Sequence, residues 1–76
     1  MAAFMLCFAG PDAKWILATE ESDGQLGIPG GRREKCENLE ECLQREFFEE
    51  TGMQCPPPMY SIQLHQDLYF GVCCYQ

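Results

Sequence analysis

Basic residues are scarce in this chain: five Lys and Arg stand against twelve Asp and Glu among its 76 residues, for a formal net charge of −7. A surface that binds nucleic acid in general needs a basic patch, so this balance argues against such a protein. The acidic surplus suits a site that attracts cations, although solubility alone also accounts for it. Long apolar runs are lacking too. No segment approaches the roughly 20 residues that span a bilayer, so no membrane span is predicted.

Zinc-ligand spacing is also missing, although the chain holds six cysteines and one histidine. No zinc pattern is matched by the cysteine spacings Cys36–Cys42, Cys42–Cys55 and Cys73–Cys74. Residues 1–9 are apolar but contain no basic segment, and the run is short for a signal peptide. We therefore predict reduced thiols in a cytoplasmic or nuclear protein, with a disulfide scaffold as the alternative.

The length allows one small domain at most, and a chain of this size buries only about 60% of its unfolded surface. Apolar patterning and turn signals predict a helix at 39–51 and strands at 4–9, 14–19, 26–28, 60–66 and 68–75. The dipeptide Asp23-Gly24 predicts a hairpin turn, and the three prolines at 56–58 predict a stiff linker. Phe4 and Trp15 are predicted to lie in the core.

The helix has clear local signals at both ends. Asn38 is a good N-cap, and Glu41, three residues later, can complete a capping box. Gly52 is a natural residue to end the helix. The apolar residues between these ends follow the spacing of a buried stripe, Leu39, Cys42, Leu43 and Phe47.

Three glutamates, Glu46, Glu49 and Glu50, lie near the predicted C-terminus of this helix. Their i, i+3 and i+4 spacing brings like charges together, and the helix macrodipole disfavours negative charge at that end. Such violations of local rules are expected mainly at functional sites. A solvated acidic face should lie opposite the apolar stripe, whereas these residues fall on the same side. Without basic partners, they predict a site for Mg²⁺ or Mn²⁺, with a wet helix end as the alternative.

The spacing of these residues resembles the complete Nudix box. Gly31 is followed after five residues by Glu37 and after seven more by Arg45-Glu46-Phe47, and the pattern continues one residue later with Glu49-Glu50 and then with Gly52-Met53. The lead-in at 27–31, Gly-Ile-Pro-Gly-Gly, is also similar to that family. One departure is Cys36, where family members usually carry glycine. It raises a question about loop geometry more than about membership.

The resemblance implies an α/β (α+β) sandwich around a mixed sheet, with the box helix and a second helix towards the C-terminus. The predicted elements lack that second helix, so residues 1–76 are expected to form a single, partial Nudix domain. The implied activity is pyrophosphohydrolase activity with Mg²⁺ or Mn²⁺, cleaving a nucleoside diphosphate linked to another moiety into a nucleoside monophosphate and a phosphorylated product. The implied metal ligands are the Gly31 carbonyl and the carboxylates of Glu46, Glu49 and Glu50.

By the same resemblance, Glu46 would also take a proton from the attacking water. Arg45 would brace the glutamates at a spacing that allows an ion pair with Glu49, and Glu37 would orient the junction between loop and helix. The catalytic residues expected on this ground are Glu46, Glu49 and Arg45.

Several alternatives stay open at this point. The chain could be a catalytically weak or inactive module that binds a nucleotide, RNA or a protein partner. The lead-in faintly resembles the branch of the family that acts on inosine diphosphate and capped RNA. Arg32 and Arg33 could contact substrate phosphates or form a solvated loop. Asp67 is the sole acid after the helix and could act as a further ligand, while His65 is expected to be a packed or surface residue.

Overall fold

The computed structural model describes residues 1–64 and 67–75. Its elements follow in the order β1 (Ala2–Ala9), β2 (Trp15–Ile16), β3 (Thr19–Glu20), β4 (Leu26–Gly27), β5 (Gly30–Arg32), α1 (Leu39–Thr51), β6 (Tyr60–Leu64) and β7 (Leu68–Tyr75). The single helix among the described residues has the predicted bounds. Since His65 and Gln66 lie outside the described residues, so do the predictions made for them.

Strand β1 lies inside a five-stranded mixed sheet. It pairs in parallel with β7 along its whole length, from Ala2 opposite Leu68 to Ala9 opposite Tyr75. Its other side pairs antiparallel with β5 near its start and with β2 at its end. Strand β6 pairs antiparallel with β7 and forms the outer edge. The predicted mixed α and β fold is confirmed.

The core lies between one face of this sheet and helix α1. Alternate residues of β1 point into the core, as a half-covered strand requires. The buried cluster is made of Ala3, Met5 and Cys7 from β1, Cys42, Leu43 and Phe47 from α1, and Cys55, Tyr69 and Cys73. Fully burying a Leu, Met or Phe side chain contributes about 1.5–3 kcal/mol. Leu39 is half-buried and packs against this cluster, so the predicted stripe is confirmed.

Buried thiols form part of the core. Cys7 and Cys73 are directly opposite each other on β1 and β7, with their Sγ atoms 3.0 Å apart. None of the six cysteines, all of which lie in the described part of the chain, forms a disulfide. Burial, followed by the contact with Cys73, raises the pKa of Cys7 to about 12, and burial raises that of Cys55 to about 11. These thiols therefore stay protonated at neutral pH.

Two predictions about the N-terminal half are wrong. The strand predicted at 14–19 is divided into β2 and β3, because the chain leaves the main sheet after the Leu17 amide donates to the Cys7 carbonyl at 2.8 Å, and then pairs β3 with β4 in a separate two-stranded sheet. Trp15, predicted to be core, is 67% exposed because β2 is a two-residue edge strand. Residues 30–32, for which the sequence predicted neither strand nor helix, form β5 against β1.

The predicted hairpin turn at Asp23-Gly24 is confirmed, since it connects β3 and β4 and the Asp23 side chain accepts the Gln25 amide at 3.0 Å. In the part of the chain that the structure describes, no helix has the length and apolarity that crossing a bilayer would require.

Candidate metal and active site

Helix α1 is fixed at both ends by the residues that the sequence indicated. The Asn38 side chain accepts the Glu41 amide at 2.8 Å, and the Glu41 carboxylate accepts the Asn38 amide at the same distance. These two bonds make a complete capping box. Gly52 adopts the left-handed conformation with φ 72° and donates its amide to the Phe48 carbonyl at 2.8 Å. The glutamates therefore occupy the last two turns of the helix.

Arg45 lies at the centre of the acidic residues. Its Nε and Nη2 atoms donate to the two carboxylate oxygens of Glu37 at 3.0 and 2.8 Å. Its Nη1 donates to Glu46 Oε1 at 2.6 Å and to Glu49 Oε1 at 3.1 Å. Nη2 also donates to the Arg32 carbonyl at 3.0 Å, so one planar guanidinium links the helix to the preceding loop. The expectation of a cluster without basic partners is therefore wrong, while the predicted bracing role of Arg45 agrees with this geometry.

Glu37 is held as a carboxylate by this network. The pKa of Glu37 is lowered to about 2. The largest cause is the hydrogen bond from Arg45, and the next is the hydrogen bond from the Glu34 amide at 2.8 Å. Conversely, these carboxylates raise the pKa of Arg45, so the pair is ionised throughout the physiological range. The loop between β5 and α1 is thus tied to the helix by a charged, bidentate contact.

We expect the contact between Arg45 and Glu37 to make the free energy of unfolding depend on pH in the acidic range. The folded pKa of Glu37 lies below its ordinary value of 4.5, so its contribution is present above pH 4.5 and is lost as the pH falls towards 2. Glu37→Gln should be less stable than wild type at neutral pH, and the gap should narrow through that window. Urea denaturation in chelator at several pH values measures it. Asp12→Asn, an exposed carboxylate in the turn between β1 and β2, is the control and should follow wild type. A gap that is constant with pH would contradict the assignment.

Strand β5 approaches the end of the helix closely because it is made of glycines. A Cβ atom on Gly31 would overlap the carboxylate of Glu46. The Gly31 carbonyl accepts the Cys42 thiol at 3.5 Å, and burial, the largest cause, raises the pKa of that thiol and keeps its proton in place. Gly30 has φ 152° and donates its amide to Glu50 Oε2 at 3.0 Å. The two glycines therefore bring one backbone carbonyl and two carboxylates into one region.

Glu50 has an electrostatic environment unlike that of Glu37. The residue as a whole is exposed, but partial burial of its carboxyl group is the largest cause that raises its pKa. The Gly30 amide opposes this shift, while the nearby charges of Glu46, Glu21 and Glu49 add to it. Like charges that raise a carboxylate pKa at a cleft are a recognised mark of functional sites.

Glu50 lies on one wall of a cleft of about 530 Å³. The opposite wall is formed by the segment that carries β3, and the lining comprises Leu17, Ala18, Thr19, Glu20, Glu21, Ser22, Glu50, Thr51 and Met53. Sequence reasoning missed Glu20 and Glu21. The one signal for them was a pair of acids ahead of the hairpin turn, which is also an ordinary turn composition.

The structure brings the predicted donors into one region without converging them on one point. As the side chains are placed, no three His, Cys, Asp or Glu residues in the described part of the chain could hold a metal ion together. Glu46 and Glu49 each give one oxygen to Arg45, and Glu50 gives one to Gly30. Each keeps a second carboxylate oxygen. An oxygen-only donor set of this kind fits a hard divalent cation such as Mg²⁺ or Mn²⁺.

The remaining candidates from the sequence are Arg32, Arg33 and Asp67. Arg32 and Arg33 are exposed, in keeping with the solvated-loop interpretation, and the Arg33 side chain donates to the Glu37 carbonyl at 3.4 Å. Asp67 precedes β7, where its carbonyl accepts the Ala2 amide at 2.8 Å. Its predicted part as a further ligand stays a prediction.

Comparison with known proteins identifies the family of this chain. The family model of the NUDIX domain matches residues 1–76, so the chain belongs to the Nudix family. A relative, the 8-oxo-dGDP phosphatase NUDT18 of Danio rerio, is 48% identical over 40 residues. That match covers 53% of this chain and 12% of the Danio rerio protein, so the chain corresponds to a small part of that relative.

Proposed function

We propose that this chain carries the metal site of a Nudix pyrophosphohydrolase. The reaction cleaves a nucleoside diphosphate linked to another moiety, giving a nucleoside monophosphate and a phosphorylated product. The observation that carries the proposal is the glycine strand β5 set against the carboxylates of Glu46 and Glu50, the second of which has a raised pKa beside an open cleft. Membership of the Nudix family supports it.

The donors we assign to the metal are the Gly31 carbonyl and the carboxylates of Glu46, Glu49 and Glu50. A bound Mg²⁺ or Mn²⁺ supplies charge neutralisation of the diphosphate and polarisation of its phosphoryl oxygens. The glycine at position 31 supports the assignment, because its missing side chain leaves room for the Glu46 carboxylate against the backbone.

Side chains of the protein perform the remaining steps of the proposed reaction. The Glu46 carboxylate takes a proton from a water molecule, whose oxygen attacks phosphorus while the bond to the leaving phosphate oxygen breaks. Arg45 acts as a positioning residue, since it fixes one oxygen of Glu46 and one of Glu49. Glu49 acts as a ligand that the same guanidinium orients.

The cleft and the relative both support a nucleotide substrate. The relative is an 8-oxo-dGDP phosphatase, and 8-oxo-dGDP is a nucleoside diphosphate. We infer a small nucleotide for this chain too, and the cleft of about 530 Å³ next to Glu50 has the size of a small-molecule site. Capped RNA is a second substrate to test.

The test is release of nucleoside monophosphate in Mn²⁺ from nucleoside di- and triphosphates, ADP-ribose and a capped dinucleotide. We expect slow turnover by the 76-residue chain, because the cleft is open to water and electrostatic catalysis is strong in water-excluded sites. Glu49→Gln should lower it by roughly 10–100-fold, as loss of a metal-site group does. Glu40→Gln, at the exposed start of the same helix, is the matched control and should leave it unchanged.

Two outcomes would contradict the proposal. Equal turnover by wild type and Glu49→Gln would remove the glutamates from the reaction. No turnover on any substrate, with nucleotide still bound, would favour the alternative of a non-catalytic binding module. One observation favours that alternative: Arg45 forms ion pairs with Glu46 and Glu49, whose carboxylates the metal would need.

A further inference from the structure

Strand β6 is an edge of the main sheet with an open side. Its inner side pairs with β7, and no strand in the described part of the chain pairs with its outer side. All five of its residues are exposed. An edge strand presents a row of amide and carbonyl groups on which another strand can pair.

This edge lacks the devices that usually prevent such pairing. The strand reads Tyr-Ser-Ile-Gln-Leu, with neither a charged residue nor a proline within it. Natural edge strands are typically protected by charged residues, prolines or short length. The apolar side chains alternate along the strand, and Tyr60, Ile62 and Leu64 are 60%, 44% and 48% exposed. An open, β-prone apolar edge of this kind is a site of association.

The charge distribution indicates which partner fits. Residues 53–64 contain no Asp, Glu, Lys or Arg, whereas all the acids except Asp67 lie in residues 1–50. A charged partner therefore finds nothing to recognise along β6. Two copies of a chain with net charge −7 repel each other over most of their surface, and this uncharged edge is where they can approach with the least repulsion.

The sequence of β6 is also complementary to itself. With a two-fold axis at Ile62, antiparallel pairing places Tyr60 opposite Leu64 of a second copy and Ser61 opposite Gln63 of that copy. Apolar residues then meet apolar residues on one face, and polar residues meet polar residues on the other. The apolar residues share their face with the register partners of Ile62 and Tyr60, which are Phe70 and Val72. Such an isologous contact closes as a dimer.

We propose that a second copy of this chain pairs antiparallel along β6, with the two-fold axis at Ile62, and joins the two five-stranded sheets into one. The proposal is independent of the chemistry at the acidic cluster. Neither the proposed metal ligands nor the residues that line the cleft lie on this edge.

Sedimentation velocity over a concentration series tests the association. We expect wild type to shift from monomer to dimer, and Ile62→Lys to raise the dimer dissociation constant by tenfold or more because it places two like charges face to face. Leu26→Lys is the matched control, since Leu26 is 75% exposed but lies in the separate β3–β4 sheet. It should dimerise like wild type. Circular dichroism shows that each variant is folded.

Cross-linking tests the register without relying on a destabilising change. In a background of Cys36→Ser and Cys74→Ser, Ile62→Cys should form a disulfide-linked dimer on mild oxidation, because the residue faces its own copy. Gln63→Cys alone should not, but should cross-link when mixed with Ser61→Cys. The proposal is overturned by a monomer at every concentration, by equal weakening in Leu26→Lys, by open-ended assembly, or by equal cross-linking of Gln63→Cys alone.

Discussion

Glu50→Gln is expected to raise the melting temperature of the chain in chelator and to abolish its stabilisation by Mg²⁺. The folded pKa of Glu50 is raised, so its charged form is disfavoured in the folded state, and stability is lost as the pH rises through that pKa. The glutamine amide is neutral, and its oxygen can still accept the Gly30 amide. Removing the charge therefore removes repulsion from Glu46, Glu21 and Glu49 while it keeps the backbone contact.

The stabilisation by Mg²⁺ that the variant loses should be large in wild type. A ligand that binds only the folded state stabilises it by about 2.7 kcal/mol at one hundred times its dissociation constant. Each 1 kcal/mol moves the melting temperature of a domain of this size by roughly 4–8 °C. Thermal melts with chelator and with Mg²⁺ measure both changes, and Glu40→Gln should behave as wild type does. A lower melting temperature for Glu50→Gln in chelator would mean that the Glu50 carboxylate stabilises the fold through its contacts and is not destabilised by charge repulsion.

Gly31→Ala is expected to weaken Mn²⁺ binding by about an order of magnitude or more while it leaves the fold intact. The added Cβ would occupy the position of the Glu46 carboxylate, which is the far end of a side chain and can swing away. The added methyl group is therefore expected to displace the Glu46 side chain and to leave the backbone in place. Gly27→Ala is the matched control, because its Cβ would meet Glu21 instead. Fluorescence melts and Mn²⁺ titration separate the two effects. Unchanged Mn²⁺ affinity in Gly31→Ala would contradict the assigned position of Glu46.

The bounds of the helix could be predicted because its signals are local. The bounds of several strands could not, because they depend on pairing with distant parts of the chain. The capping box at Asn38, the apolar stripe and Gly52 all lie within the helix or next to it, so the sequence alone defined its bounds. Strand β5 contains two glycines, which have low strand propensity, and it exists because β1 offers an open side about thirty residues away. Trp15 was misplaced for a related reason, since its alternation with Leu17 did not reveal that β2 ends after two residues.

The same division holds for the site: spacing within the helix could be predicted, and contacts between the helix and other segments could not. The i, i+4 spacing of Arg45 and Glu49 was visible in the sequence, and the box spacing pointed to the ligands. The bond from Arg45 to Glu37 was not visible as a contact, because it depends on how the loop folds back on the helix. Glu21 reaches the neighbourhood of Glu50 only through the β3–β4 hairpin, and no local rule connects the two.

Calorimetric titration with Mn²⁺ measures whether the glutamates of α1 bind a divalent cation. We expect one site on the wild-type chain, at least tenfold weaker binding in both Glu49→Gln and Glu50→Gln, and wild-type binding in Glu40→Gln. Equal Mn²⁺ affinity in the wild type and all three variants, or no binding by the folded wild-type chain, would contradict that expectation.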